Sequence, residues 1–308
     1  MSVAEADQAL DELLSELADT AYRFIAVTPE THRRVVAKRA QASDLRDVLG
    51  WSLPFQQDIL SSRLFDLLSR ADALQAEGQS YRSKVRVASI DDALFLHSSY
   101  PTSEADSVFF GPDTYRFAAF LRRELPSQTS ARHVVDIGSG SGAGAIVAAT
   151  ILPSAKVVAT DINPRALRLA RVNARHNRTS IETIETAGLD DVLGSIDVVI
   201  SNPPFIDDGG DRLYRDGGDM HGGALSLDWA KAAVGKLAPG GRMLLYSGSA
   251  IVAGKDRLRA ALGELTDETN CSLAYNEIDP DIFGEQLDSP QYRGVERIAA
   301  IGAVITRR

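Results

Sequence analysis

Apolar residues in the first hundred positions recur at helical spacing. Leu10, Leu13, Leu14 and Leu17 fall at i, i+3, i+4 and i+7, the stripe of an amphipathic helix. The stretch 55–74 repeats the pattern with Ile59, Leu60, Leu64, Leu67 and Leu68. Two short alternating runs follow, Lys84-Val85-Arg86-Val87 and Ala93-Leu94-Phe95-Leu96, and Ile90-Asp91-Asp92 between them predicts a small hairpin. Helices followed by a hairpin are compatible with a winged-helix-like module, although a helical accessory unit with no nucleic-acid role is the plainer reading. The Ser-rich polar stretch 98–106 marks the expected boundary. It divides the chain into an N-terminal recognition unit, 1–105, and a second domain, 106–308.

After a helix expected to run to about Leu125, the pattern changes. From His133 onward short β-branched runs alternate with helical segments, the mark of a parallel sheet covered on both faces. Strands are expected at 133–137, 156–160, 181–186, 196–201, 242–247, 272–278 and 296–306, and helices at 143–151, 164–176, 226–237 and 253–265. Pro239-Gly240-Gly241 supplies a turn before the fifth strand. No helical pattern separates the last two strands, only the irregular stretch 279–295, so that pair is expected to be antiparallel at a sheet edge. The fold class is therefore α/β, with a mainly helical N-terminal domain carrying a hairpin.

Charge and composition narrow the function classes. A formal net charge of −9 does not suggest a general basic grip on nucleic acid, although a local patch stays possible. Arg33, Arg34, Lys38 and Arg39 form one basic cluster, and Arg165, Arg168, Arg171, Arg175 and Arg178 roughly one helix face; both read as solvated faces. The single cysteine, Cys271, leaves no disulfide framework or Cys-rich zinc site, and His133, His176 and His221 lack metal-ligand spacing, so no metal is expected. No apolar run approaches the length of a membrane span, and the acidic N-terminus has no basic n-region with an apolar core. A cytoplasmic protein with no membrane partner is the expectation.

The candidate chemistry lies at two strand ends. Val134 to Ala143 reads as a strand, a glycine turn (Gly138-Ser139-Gly140-Ser141-Gly142) and a helix start, where glycines let a ligand approach the backbone closely. Gly138, Gly140 and Ala143 also satisfy the dinucleotide pattern, so the turn alone does not name the ligand. Asp161 closes the next strand, where a carboxylate can accept both hydroxyls of a ribose, and Asn163-Pro164 caps the helix that follows. A nicotinamide enzyme has no use for what comes next, and no Gly-Lys-Ser/Thr loop is present for a nucleotide hydrolase. Asp136 would repel a pyrophosphate yet suit an α-ammonium group, so S-adenosylmethionine fits best. The second strand end is Ser201-Asn202-Pro203-Pro204-Phe205. Two prolines hold φ near about −65° and donate no hydrogen bond, so the strand stops in a rigid corner. That corner carries one amide side chain, carbonyls and one ring.

Together, the run 136–142, Asp161, Asn163-Pro164 and the 201–205 corner resemble the class I S-adenosylmethionine-dependent N-methyltransferases. The chain is most similar to the branch with release-factor glutamine N5-methyltransferases and several rRNA base methyltransferases, over roughly 109–308. The resemblance implies a seven-stranded Rossmann-like sheet with the last strand antiparallel. It places Gly138, Gly140 and Gly142, with Ser139, against the cofactor's methionine part and Asp136 near its amino group. Asp161, with Ile162, would hold the ribose. Phe110, Pro112, Asp113 and Thr114 resemble the Pro-x-Pro-Asp-Thr stretch bordering the pocket, Phe110 standing where the first proline would be. Arg215-Asp216-Gly217-Gly218-Asp219 resembles the substrate-side loop. Departures are Ala187-Gly188-Leu189 where an adenine-binding acid often follows the third strand, with Asp190 or Asp191 a shifted substitute, and Phe205 in place of tyrosine.

In this reading Asn202 and the Pro203 carbonyl accept from the target NH₂ while Phe205 stacks on its plane. Pro204, Phe205, Phe110 and Arg215 face the substrate, and Thr114 and Asn202 also border the cofactor. Trp229, at helical spacing with Leu225 and Ala233, reads as core. The expected acceptor is a protein glutamine, with a nucleobase of rRNA, tRNA or DNA as the alternative. A nicotinamide-dependent oxidoreductase or a non-catalytic cofactor-binding protein is a third reading, against which the intact Asn-Pro-Pro-Phe argues.

Overall fold

The computed structural model describes residues 2–102, 104–207 and 216–308. The N-terminal part comprises α1 (Val3–Asp19), α2 (Pro29–Val36), α3 (Leu45–Leu49), α4 (Ser62–Arg70) and two hairpins, β1 (Leu74–Glu77) with β2 (Ser80–Ser83) and β3 (Val85–Ile90) with β4 (Ala93–Ser98). The second hairpin is the one the alternating runs predict; the first has too short an apolar alternation to be read. Helix α5 (Pro112–Glu124) leads into the main sheet. There follow β5 (His133–Ile137), α6 (Ala143–Ile151), β6 (Lys156–Asp161), α7 (Pro164–His176), β7 (Glu182–Glu185), β8 (Ile196–Ser201), α8 (Ala224–Lys236), β9 (Leu237–Val252), the short β10 (Lys255–Asp256), α9 (Arg257–Glu268), β11 (Cys271–Asp279) and β12 (Val295–Arg307).

Local chemistry accounts for several boundaries. Ser2 and Glu5 form a reciprocal capping box at the start of α1. The Asn163 side chain accepts from Arg165 N at 2.9 Å, and Pro164 at the first helical position starts α7. Lys236 ends α8, and Leu237 already pairs with Ile196. The next pair is Arg242 with Val198, so the Pro239-Gly240-Gly241 turn is an excursion inside the bounds of β9, with Gly240 at φ +77°.

The strand order is β11-β12-β9-β8-β5-β6-β7, with β10 folded back on β9. Strands β5 to β9 pair in parallel, whereas β12 is antiparallel to both β9 and β11. The expected seven-stranded sheet with an antiparallel last strand is present, and that last strand lies inside the edge rather than on it. Alternate residues of β5 feed two cores: Val135 and Ile137 pack with Ala230, Ala233, Leu258 and Leu262, and Val134 packs on the opposite face. This second core runs without a break into the N-terminal part. Leu10, Leu13, Leu14 and Leu17 join it at no more than 3 % exposure, each contributing roughly 1.5–3 kcal/mol by burial.

Candidate active site

Strand β5 has β6 on one side and β8 on the other, so the chain leaves their C-terminal ends in opposite directions and opens a crevice there. A cavity of about 530 Å³ occupies it. Its floor is the glycine turn after β5. Gly138 takes φ +66°, and a Cβ there would lie 2.6 Å from the Trp229 ring. Gly140, in contrast, has open space where a side chain would be, leaving its face free for a ligand.

Two carboxylates serve the turn. Asp136 Oδ2 accepts from Ser139 Oγ at 2.9 Å and from Ala145 N, in the first turn of α6, at 2.8 Å. The Asp136 side chain lines the cavity yet is only 2 % exposed, and burial pushes its pKa up to about 7. A cation in the cavity would oppose that shift. Asp161, at the end of β6, accepts from Gly140 N and Asn163 N, both at 2.9 Å, one on each oxygen. Burial raises its pKa and these amides counter the effect. Each oxygen keeps a lone pair for a hydroxyl donor.

The corner after β8 forms the facing side. Ser201 Oγ donates to Ile137 O at 3.1 Å and ties the two strand ends together. Asn202 and Pro204 line the cavity. Asn202 Oδ1 is buried and accepts no hydrogen bond among the described residues. A desolvated amide oxygen left unpaired costs about 1–3 kcal/mol, so a donor brought by a ligand would be favoured there.

Ser139, Ile162 and Thr114 also line the cavity, so it gathers most of the residues that the sequence singled out. Thr114 additionally accepts from Gly111 N at 3.3 Å as part of the start of α5. Four residues are placed elsewhere. Gly142 caps α6 at φ +80° against α7, where a Cβ would meet that of Ala170 at 2.9 Å; it is a helix-packing glycine, not a cavity residue. Pro203 is buried and does not line the cavity. Phe205, expected to stack on the acceptor, is 7 % exposed and packed under Gly248, edge-on to Phe283 at 5.8 Å and Tyr246 at 6.3 Å. Phe110, expected at the substrate side, is 1 % exposed and stacked on His97 at 5.1 Å. Its neighbour Phe109 lines the cavity instead. Arg215 lies outside the described residues.

Three further walls complete the cavity, two of them missed by sequence reasoning. Ser107, Val108 and Phe109, at the expected domain boundary, form one. Leu225 and Trp229, one helical turn apart on α8, form another, so Trp229 packs on the core and faces the cavity at once. The third is Thr186-Ala187-Gly188 after β7; Asp190 and Asp191 do not reach the cavity. The chain beyond the corner returns beside it. Ile206 bridges Asp216, Gly217 N donates to Ile206 O at 2.7 Å, and Gly222 leaves no room for a Cβ against Phe205 O. The connection between β11 and β12 closes over this region, the Tyr292 hydroxyl accepting from Asp207 N at 2.9 Å and donating to His221 O at 3.2 Å.

Known proteins resemble this chain over part of its length. The methyltransferase small domain profile matches residues 106–266, just over half of the chain. A release factor glutamine methyltransferase of Deinococcus radiodurans is 33% identical over 155 residues, covering 47% of this chain and 55% of the relative. That of Neisseria gonorrhoeae is 32% identical over 188 residues, 56% of this chain and 64% of the relative. A ribosomal RNA large subunit methyltransferase G of Vibrio vulnificus is 32% identical over 103 residues, 32% of this chain and 27% of the relative. Each of these matches spans less than two thirds of the relative's length. The crystal structure of Trm5b from Pyrococcus abyssi shares the fold, with a TM-score of 0.50 at 14% identity over 76% of this chain and 62% of that one. The chain belongs to the methyltransferase small domain family, among the S-adenosylmethionine-dependent methyltransferases.

Proposed function

We propose that this protein transfers a methyl group to a planar amide nitrogen, the side-chain amide of a protein glutamine. The observation that carries the reading is the buried, unpaired Asn202 Oδ1 on the wall of a cavity that also holds Asp136 and Asp161. These residues fit S-adenosylmethionine: Asp161 for the ribose hydroxyls, Asp136 for the ammonium group, and the glycine turn for close backbone approach. When bound, that cofactor supplies an electrophilic methyl on a sulfonium.

An amide nitrogen is a poor nucleophile because its lone pair is delocalised. Asn202 Oδ1 accepts one N–H of the acceptor, whereas Pro203, buried off the cavity wall, is not used as the second acceptor that the resemblance implied. The Asn202 bond favours a more tetrahedral nitrogen and holds its lone pair toward the cavity. The contribution is positioning and electrostatics. The prolines keep that geometry stiff, and Phe205 supports the corner from behind. The product nitrogen is acidic enough to lose its proton to water, so no matched base is required.

Two further observations bear on the acceptor. Relatives from two organisms are named release factor glutamine methyltransferases. The described segments that flank the corner in sequence carry Asp207, Asp216 and Asp219, and the β11–β12 connection carries Asp281, Glu285 and Asp288; acidic side chains on these segments would disfavour a phosphate backbone. The Vibrio vulnificus relative, named for ribosomal RNA, favours a nucleobase as the second reading. Incubation with tritiated S-adenosylmethionine and either a purified release factor or total rRNA separates them. Label on a glutamine of the protein is expected; label in RNA alone would replace the glutamine reading with the nucleobase one.

A further inference from the structure

Among the described residues strand β4 has only β3 as a neighbour in its sheet, so one edge of its backbone must find partners elsewhere. Side chains of α7 supply them. Asn177 Nδ2 donates to Leu94 O at 2.9 Å. One turn earlier, Asn173 Oδ1 accepts from Leu96 N at 2.8 Å and its Nδ2 donates to Leu96 O at 3.0 Å. Ser98 N then donates to Val108 O at 3.0 Å, and Val108 N donates to Ser98 Oγ at 2.8 Å. Two amides at i and i+4 and a short extended segment thus replace a third strand.

Asn173 does more than hold the hairpin. Its Nδ2 also donates to Ser141 O at 2.9 Å, in the glycine turn that lines the cavity. The side chain is 0 % exposed and its amide hydrogens are both used. Any displacement of β4 along its edge must either break the bond to Leu96 or pull on Ser141. Val108, the next contact along the same edge, is itself a cavity wall.

We propose that Asn173 is a positioning residue that couples the β3–β4 hairpin to the glycine turn, so that occupancy of the cavity and docking of the hairpin stabilise each other. The coupling is reciprocal: whatever braces the hairpin tightens ligand binding by the factor by which the ligand braces the hairpin. It rests on the cavity being the cofactor site.

The test uses the whole 308-residue chain and S-adenosylhomocysteine as the probe. In the wild type, saturating probe is expected to slow hydrogen exchange at the Leu96 amide about tenfold while leaving the β1–β2 hairpin unchanged. Equal slowing in both hairpins, or none at Leu96, would overturn the coupling. Calorimetry then compares Asn173→Asp with Asn177→Asp, which disturbs the same strand without touching the glycine turn. The first, which loses the Nδ2 bonds to Leu96 O and to Ser141 O, should weaken probe binding about tenfold, and the second less than about threefold. Equal effects would reduce Asn173 to a merely structural role. Should Asn173→Asp fail to fold, the exchange experiment on the wild type still decides. A wild type that binds no probe would instead refute the cofactor reading itself.

Discussion

The Tyr246 hydroxyl donates to Asp113 Oδ1 at 2.7 Å, both residues are at most 3 % exposed, and the same tyrosine ring meets Phe205 edge-on at 6.3 Å. A buried post therefore joins the first turn of α5, which places Thr114, to the ring behind Asn202. Burial raises the Asp113 pKa, and the tyrosine bond opposes that shift. Tyr246→Phe removes the donor and leaves the carboxyl buried with Arg116 Nη1 at 3.5 Å as its remaining ion-pair partner. Stability should fall by about 1–3 kcal/mol, read from the urea midpoint. An unchanged midpoint would show that the post bears no strain.

Asn202→Ala should abolish most turnover with little loss of cofactor affinity. Removing an oriented group of this kind costs roughly 10²–10³ in rate. Single-turnover methyl transfer alongside calorimetry checks the split; retained methylation would remove the amide clamp from the mechanism.

Asp161→Ala acts on the other side of the cavity. It takes away the acceptor for Gly140 N and Asn163 N together with the expected ribose contact. The dissociation constant for S-adenosylmethionine should rise by about ten- to a hundredfold, as for hydrogen bonds to a charged group. A value equal to that of the wild type would count against the ribose assignment.

Asp136 sets a pH dependence with a definite sign. Its folded pKa, about 7, lies above the ordinary 3.8, so the folded state keeps a proton that the unfolded chain releases. Stability from this group is present at low pH and is lost as pH rises from about 4 through 7. His32, which burial pushes down to about 4, works in the opposite sense, so the comparison must be with Asp136→Asn. Relative to that variant the ligand-free wild type should lose up to about 4 kcal/mol across the window. A bound cation favours the ionised form, so cofactor affinity should increase toward pH 7 in the wild type and vary less in Asp136→Asn. Parallel profiles would exclude Asp136 from contact with the ligand's charge.

Much of this site was legible along the chain because its parts sit at strand ends that periodicity locates. The glycine turn follows a β-branched run, Asp161 closes the next, and the two prolines must end the strand before them. Spacing says that such residues meet once the sheet is parallel. It does not say which way neighbouring side chains face. Phe109 and Phe110 are equally aromatic, and only the path of the chain into α5 turns one to the cavity and the other onto His97. Trp229 fits a core stripe equally well whether or not a cavity opens beside it.

The sequence by itself determined the parallel α/β sheet, its antiparallel last strand and the placing of Asp136, Asp161 and Asn202 at strand ends, because hydrophobic period and proline geometry are local properties. Tertiary structure alone decided that Phe205 lies behind the corner under Gly248 and that Gly142 belongs to the contact with α7. It also made the N-terminal helices and the sheet share one core, with Asn173 joining hairpin to glycine turn. Those outcomes depend on which surfaces meet across long stretches of chain, and packing of that kind leaves no periodic mark in the residues that make it.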